Sequence, residues 1–131
     1  MIRLEHRLDD ALEHLIHMTI GCGIAVHRAL GPGLLESIYR KATCLELGAN
    51  GVSYEAEKVI PVTYRGELLC NQRIDLVVDQ RLLLEIKSVE RLAPVHHAQV
   101  RSYLRASGLR AGLLINFNVP VLKDGIKRFR L

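Results

Sequence analysis

Two short runs of β-forming apolar residues, Ile74 to Val78 and Leu82 to Ile86, flank the polar break Asp79-Gln80-Arg81, and charge intrudes on both. Asp75 lies inside the first run, Glu85 inside the second, and Lys87 directly after it. Apolar runs of this length around a polar break read as a β-hairpin. Charge within such strands is costly, because an ionised carboxylate out of water persists only where a cation or strong donors meet it. If Val78 pairs with Leu82, Asp75 lies directly opposite Glu85, with Cβ atoms roughly 4.5 to 5.5 Å apart. Side chains alternate along a strand, so Lys87 shares the face of Glu85. A two-residue turn would slip the register by one and send Asp75 to the other face, so the grouping requires the three-residue loop. Two opposed carboxylates beside a lysine have the make-up of a divalent-metal site with an ammonium at hand.

The rest of the chain supplies elements to hold that hairpin. Leu12, Leu15, Ile16, Ile20, Gly23, Val26, His27 and Leu30 recur at helical spacing, and Gly31-Pro32-Gly33 should end the helix. A second helix follows, with Leu35, Ile38, Ala42 and Leu45 as its apolar stripe, before Gly48 and an Asn50-Gly51 turn. From Val52 to Val89 the period becomes strand-like: Val59 to Tyr64, a turn at Arg65-Gly66, Glu67 to Val78, then the strand carrying Glu85. Pro94 suits the first turn of a third helix ending near Gly108. Ala111 to Phe117 has the character of a buried strand, and Ile126 to Leu131 that of an edge strand. This order predicts an α/β sandwich with a mixed sheet.

With 131 residues, 49% of them hydrophobic and 24% charged, the chain is expected to be one globular domain over residues 1–131 and not a disordered one. No stretch approaches the roughly 18 apolar residues needed to span a bilayer. The amino terminus mixes charges of both signs without a leader-type apolar core, so a cytoplasmic location and no membrane partner are expected. Cys22, Cys44 and Cys70 are odd in number and widely spaced, which reads as reduced, mostly buried thiols. The net charge of +4 is modest, but after Glu90 eight basic residues face Asp124 alone, a local +7. Such a bias suits a polyanion as well as it suits a solvated surface.

Other residues could join the carboxylates. Glu36 opens the second helix and shares a stripe with Tyr39, Arg40 and Thr43, beside the apolar face; its plainer role is to favour the helix dipole. On the third helix His96, Gln99 and Tyr103 share a face and could donate to phosphate oxygens, although polar helix faces usually meet solvent. His14 and His17 lie a turn apart with no third ligand near in sequence. Gly21-Cys-Gly23 sits inside the helical pattern and points to close helix packing, not a phosphate loop.

Several of these segments form an ordered set: His27-Arg-Ala-Leu-Gly-Pro-Gly33, Gly33-Leu-Leu-Glu36-Ser-Ile-Tyr39, Arg73-Ile-Asp75-Leu, Leu84-Glu85-Ile-Lys87, Ala98-Gln99 through Tyr103-Leu-Arg105, and Leu114-Ile-Asn116-Phe117. In order and spacing they resemble the GxxExxY family, a branch of the PD-(D/E)XK nuclease superfamily, over nearly the whole chain. The resemblance implies a restriction-endonuclease-like αβββαβ core with a mixed sheet flanked by helices. It implies that Asp75 and Glu85 hold a divalent ion, Mg²⁺ with Mn²⁺ as substitute, with Glu36 at the metal site and Lys87 assisting the nucleophile. Gln99 would orient a phosphate or water, and Tyr39, His96, Tyr103 and Arg105 would support the site or bind phosphate. The expected activity is metal-dependent phosphodiester hydrolysis on a nucleic acid, DNA for preference, and cutting both strands of a duplex would call for a homodimer. Two other readings remain open at this point: a module that binds nucleic acid or protein without cutting, and a structural ion pair of Lys87 with the two acids.

Overall fold

The computed structural model describes residues 2–131, with side chains from Asp10 onward; the amino-terminal leader reading at residues 1–9 falls outside the described side chains. Helix α1 (Ile2–Leu30) buries Leu12, Leu15, Ile16, Gly23, Val26 and His27 of the predicted stripe and Cys22 besides, while Ile20 is half-buried and Leu30 exposed. Gly31, at φ 71°, takes the left-handed turn that ends it and donates its N–H to the His27 carbonyl at 2.8 Å. Among the described residues no helix is long and apolar enough to cross a membrane.

Helix α2 (Glu36–Ala49) follows, but its orientation differs from expectation. Tyr39, Thr43 and Leu47 face the core, whereas Leu35, Ile38 and Leu45 are exposed. The physical reason is Tyr39: its ring stacks on Phe117 at 4.6 Å and 13°, and a buried aromatic outweighs a stripe of aliphatic residues.

The sheet has five strands in sequential order: β1 (Tyr54–Tyr64), β2 (Glu67–Val78), β3 (Leu82–Lys87), β4 (Ala111–Asn116) and β5 (Ile126–Arg130). It is mixed, because helix α3 (Pro94–Ser107) carries the chain from β3 to a parallel β4, while the other neighbours run antiparallel. Helices α1 and α2 cover one face over Leu76, Val78, Leu84, Ile86 and Leu113. Helix α3 covers the other, packing Val100 and Leu104 on Val77, Leu83 and Leu114. Being covered on both faces, β3 and β4 are unbroken apolar runs apart from Glu85 and the residues at their ends. The expected α/β sandwich and its order of elements are what forms.

The first two strands reach well beyond the sheet. Strand β3 pairs with β2 only from Leu76 to Val78, so the outer half of the β1–β2 hairpin is a two-stranded ribbon in solvent. Its turn is the expected Arg65-Gly66, both at positive φ. Cys70 is exposed on this ribbon and Cys44 half-buried, so only Cys22 fits the expectation of buried thiols.

Candidate active site

The hairpin closes in the predicted register. Val78 pairs with Leu82 around the loop Asp79-Gln80-Arg81, and Leu76 with Leu84, which sets Asp75 against Glu85. At that step side chains replace backbone pairing: the Asp75 N–H donates to Glu85 Oε1 at 2.9 Å, and the Ile86 N–H donates to Asp75 Oδ2 at 2.8 Å. Each acid thereby caps the opposite strand, and the wedge is fixed by both backbones. Asp75 Oδ1 and the second oxygen of Glu85 stay clear of these bonds. Glu85 is 3% exposed, and burial, then the neighbouring Asp75 carboxylate, push its carboxyl up to about 8. The Asp75 N–H and the Lys87 ammonium oppose that rise without cancelling it. Two carboxylates so held call for a cation.

Within the described residues the cation in contact is Arg40. Its Nη1 lies 3.4 Å from Asp75 Oδ1, both side chains being about four-fifths to three-quarters buried. Lys87 is half-buried on the same strand as Glu85 and forms no ion pair with either acid among the described residues, so the structural Lys87 pairing does not form. Sequence reasoning puts Arg40 on the stripe of Glu36 and gives it no part. Only its i+4 spacing from Glu36 marks it, since its partner lies 35 positions away.

Three bonds fix the start of α2, one of them from the residue that follows β3. Ser88 Oγ donates to the Leu34 carbonyl at 2.5 Å, while the Tyr39 hydroxyl donates to the Gly31 carbonyl at 2.5 Å and accepts from the Leu34 N–H at 3.1 Å. Tyr39 is fully buried with its hydroxyl committed to this loop, so it positions α2. Glu36 stands half-buried at the first turn. Among the described residues no three His, Cys, Asp or Glu side chains come together. Glu36 therefore forms no three-ligand cluster with Asp75 and Glu85, and at this helix start an acid also favours the helix dipole.

From α3 two residues reach the site. Gln99 Nε2 donates to the Tyr103 hydroxyl at 3.0 Å, which donates to Gln72 Oε1 at 3.3 Å. Burial, then the Glu85 carboxylate, raise the Tyr103 phenol, so it stays a donor at neutral pH. Gln99 Oε1 is buried with no protein partner and is free to accept a hydrogen bond. His96 instead spends Nδ1 on the Ala93 N–H at 2.9 Å, capping α3, and Arg105 is exposed in the last turn of that helix, so neither joins the carboxylates. A further residue without a role in the sequence reading is Asn116, which grips both backbone groups of Val89 at 2.9 and 3.0 Å and fixes the chain leaving Lys87.

Three of the basic residues of the last third are engaged within the fold. Arg128 and Arg130 both bind Glu13 of α1, whose carboxyl they hold low, and Arg101 lies 5.2 Å over the Phe129 ring.

The sequence profile of the PD-(D/E)XK nuclease superfamily matches residues 13–129. The chain belongs to that superfamily. Neither curated proteins nor solved structures give a match. Three helices on a five-stranded mixed sheet agree with the restriction-endonuclease-like fold of PD-(D/E)XK proteins. Members of this superfamily are generally nucleases and typically use divalent metals such as Mg²⁺. The donors here fit such an ion. They are carboxylate oxygens alone, one already drawn to a cation and the other destabilised for want of one, and Mg²⁺ binds through one or two carboxylates while keeping waters.

Proposed function

We propose that this PD-(D/E)XK protein is a metal-dependent nuclease that hydrolyses phosphodiester bonds in nucleic acid, DNA for preference, and that it belongs to the GxxExxY branch. The observation that carries this reading is the Asp75–Glu85 wedge, two carboxylates locked to each other's strands with Lys87 two residues on. Asp75 and Glu85 would hold Mg²⁺, with Mn²⁺ as substitute, and Glu36, in the first turn of α2, would join them once the ion is bound. Once bound, the ion would polarise a phosphoryl oxygen and lower the pKa of a water. Lys87 Nζ, free of any ion pair among the described residues, would stabilise charge developing on the phosphoryl group or hold the attacking water. Gln99 Oε1 would accept a hydrogen bond from that water, and the Tyr103 hydroxyl supports Gln99. Arg40 would leave Asp75 as the ion arrives and become available to the substrate phosphate. We assign its action to the cytoplasm, where three unpaired cysteines remain reduced.

The test is cleavage of labelled duplex, single-stranded and branched DNA and RNA with Mg²⁺, Mn²⁺ or chelator, with Asp75→Asn beside the wild type. Cutting that needs the ion and is lost in the variant is the expected result. No cutting by either protein, with binding that weakens steeply in salt, would contradict it and leave a binding module.

A further inference from the structure

The outward face of α2 carries an apolar pattern of which the core uses only Ala42, half-buried at its inner edge. Leu35, Ile38, Ala42, Leu45 and Ala49 succeed one another at steps of three and four residues, the a and d spacing of two heptads. Leu35 is 70% exposed, Ile38 40% and Leu45 76%, while the buried stripe of the same helix is Tyr39, Thr43 and Leu47. On α1, which packs beside it, the small residues Ala25 and Ala29 are exposed as well. Charges of opposite sign border the stripe: Lys41 occupies a g position and Glu46 an e position.

We propose that this face docks α2 of a second copy of the chain, the two helices parallel. In that alignment Lys41 of each copy meets Glu46 of the other, because a g residue faces the e residue five positions on. An antiparallel pair would set Lys41 against Lys41, so the same two charges that favour the parallel dimer oppose the reversed one. Glu46 accepts from Asn50 Nδ2 through Oε2 at 3.1 Å and retains its other oxygen for the lysine. The small, exposed Ala49 at the last a position allows close approach of the helices at that end. Helix α2 is about 21 Å long, so the footprint is that of a weak, concentration-dependent dimer.

The parallel alignment has a functional consequence. The Ser88–Leu34 bond ties the start of α2 to the carboxylate end of β3, so both wedges lie at the same end of the dimer. Two sites related by an axis along the helices face the two antiparallel strands of one duplex. That consequence rests on the proposed nuclease activity, whereas the dimer does not.

Sedimentation velocity of the full chain from about 1 to about 100 µM reads the association directly. The wild type should pass from monomer to dimer over that range, and Leu45→Glu should remain monomeric with unchanged helix content, its side chain being exposed in the monomer. Lys41→Glu should weaken association by on the order of tenfold or more, and the double variant Lys41→Glu/Glu46→Lys should restore it. Zero-length carbodiimide coupling of mixed isotope-labelled and unlabelled chains should yield a Lys41–Glu46 peptide with one half from each. A monomer at every concentration, a dimer indifferent to Leu45→Glu, or failure of the double variant to recover would overturn the proposal. None of these readouts depends on cleavage.

Discussion

Arg40 and Asp75 are the pair on which the metal-free site leans. Removing the guanidinium as Arg40→Gln leaves two carboxylates facing each other without it, at a cost of about 1–2 kcal/mol for a charged hydrogen bond in a partly solvated position. The same change removes a competitor for Asp75 Oδ1, so Mn²⁺ should bind more tightly. Calorimetric titration of the variant reads that affinity, and denaturant unfolding in chelator reads the stability. Glu85 adds a pH dependence of unusual sign. Its carboxyl holds the proton more tightly when folded, at about 8, than at its ordinary 4.5. The stabilisation from that proton is therefore full below pH 4.5 and is lost as pH rises through 8. In chelator the wild type should lose roughly 2–5 kcal/mol relative to Glu85→Gln between pH 5 and about 8.5. Saturating Mg²⁺ should flatten that difference, and thermal melts across the range measure it.

Among the elements, the β2–β3 hairpin is legible from the amino-acid order because the period of two and the three-residue break fix one register, and a slip would scatter the charges. Its turn retains strain that the sequence conceals: Asp79 and Gln80 both adopt positive φ, 50° and 59°, without being glycine. Gln80→Gly should stabilise the protein by about 0.5–1 kcal/mol with metal affinity unchanged, seen in paired unfolding and titration experiments. Helix α2 is legible in extent but not in rotation. Periodicity finds the most apolar stripe, and the one that is buried here is anchored by the stacking of Tyr39 on Phe117, far along the chain. Arg40 escapes for a related reason, because a salt bridge between α2 and β2 leaves no local pattern. Glu36 and Gln99 come from family resemblance. The structure gives Gln99 a hydrogen-bonded place beside Tyr103 and sets Glu36 in the first turn of α2.

At the scale of the whole molecule, part of the basic charge counted along the chain is paired within the fold. The +7 of the last third looks like a polyanion surface, yet Arg128 and Arg130 are spent on Glu13, tying β5 to α1. The double variant Arg128→Gln/Arg130→Gln should therefore leave the salt dependence of nucleic-acid binding nearly unchanged while loosening that contact. A fall in slope of about two phosphate equivalents in fluorescence anisotropy would assign both arginines to the interface instead. What the fold fixes is a wedge of two acids bonded to each other's strands, with a lysine two residues along the second strand.

The measurement that bears most directly on this account is the single-turnover cleavage rate of Lys87→Met beside the wild type in saturating Mg²⁺, with metal affinity determined on both. A loss of at least about a hundredfold in rate, with affinity and fold retained, is the predicted result. A variant that binds the metal and cuts at the wild-type rate would contradict it, because the wedge would then hold an ion without the ammonium taking part in the chemistry.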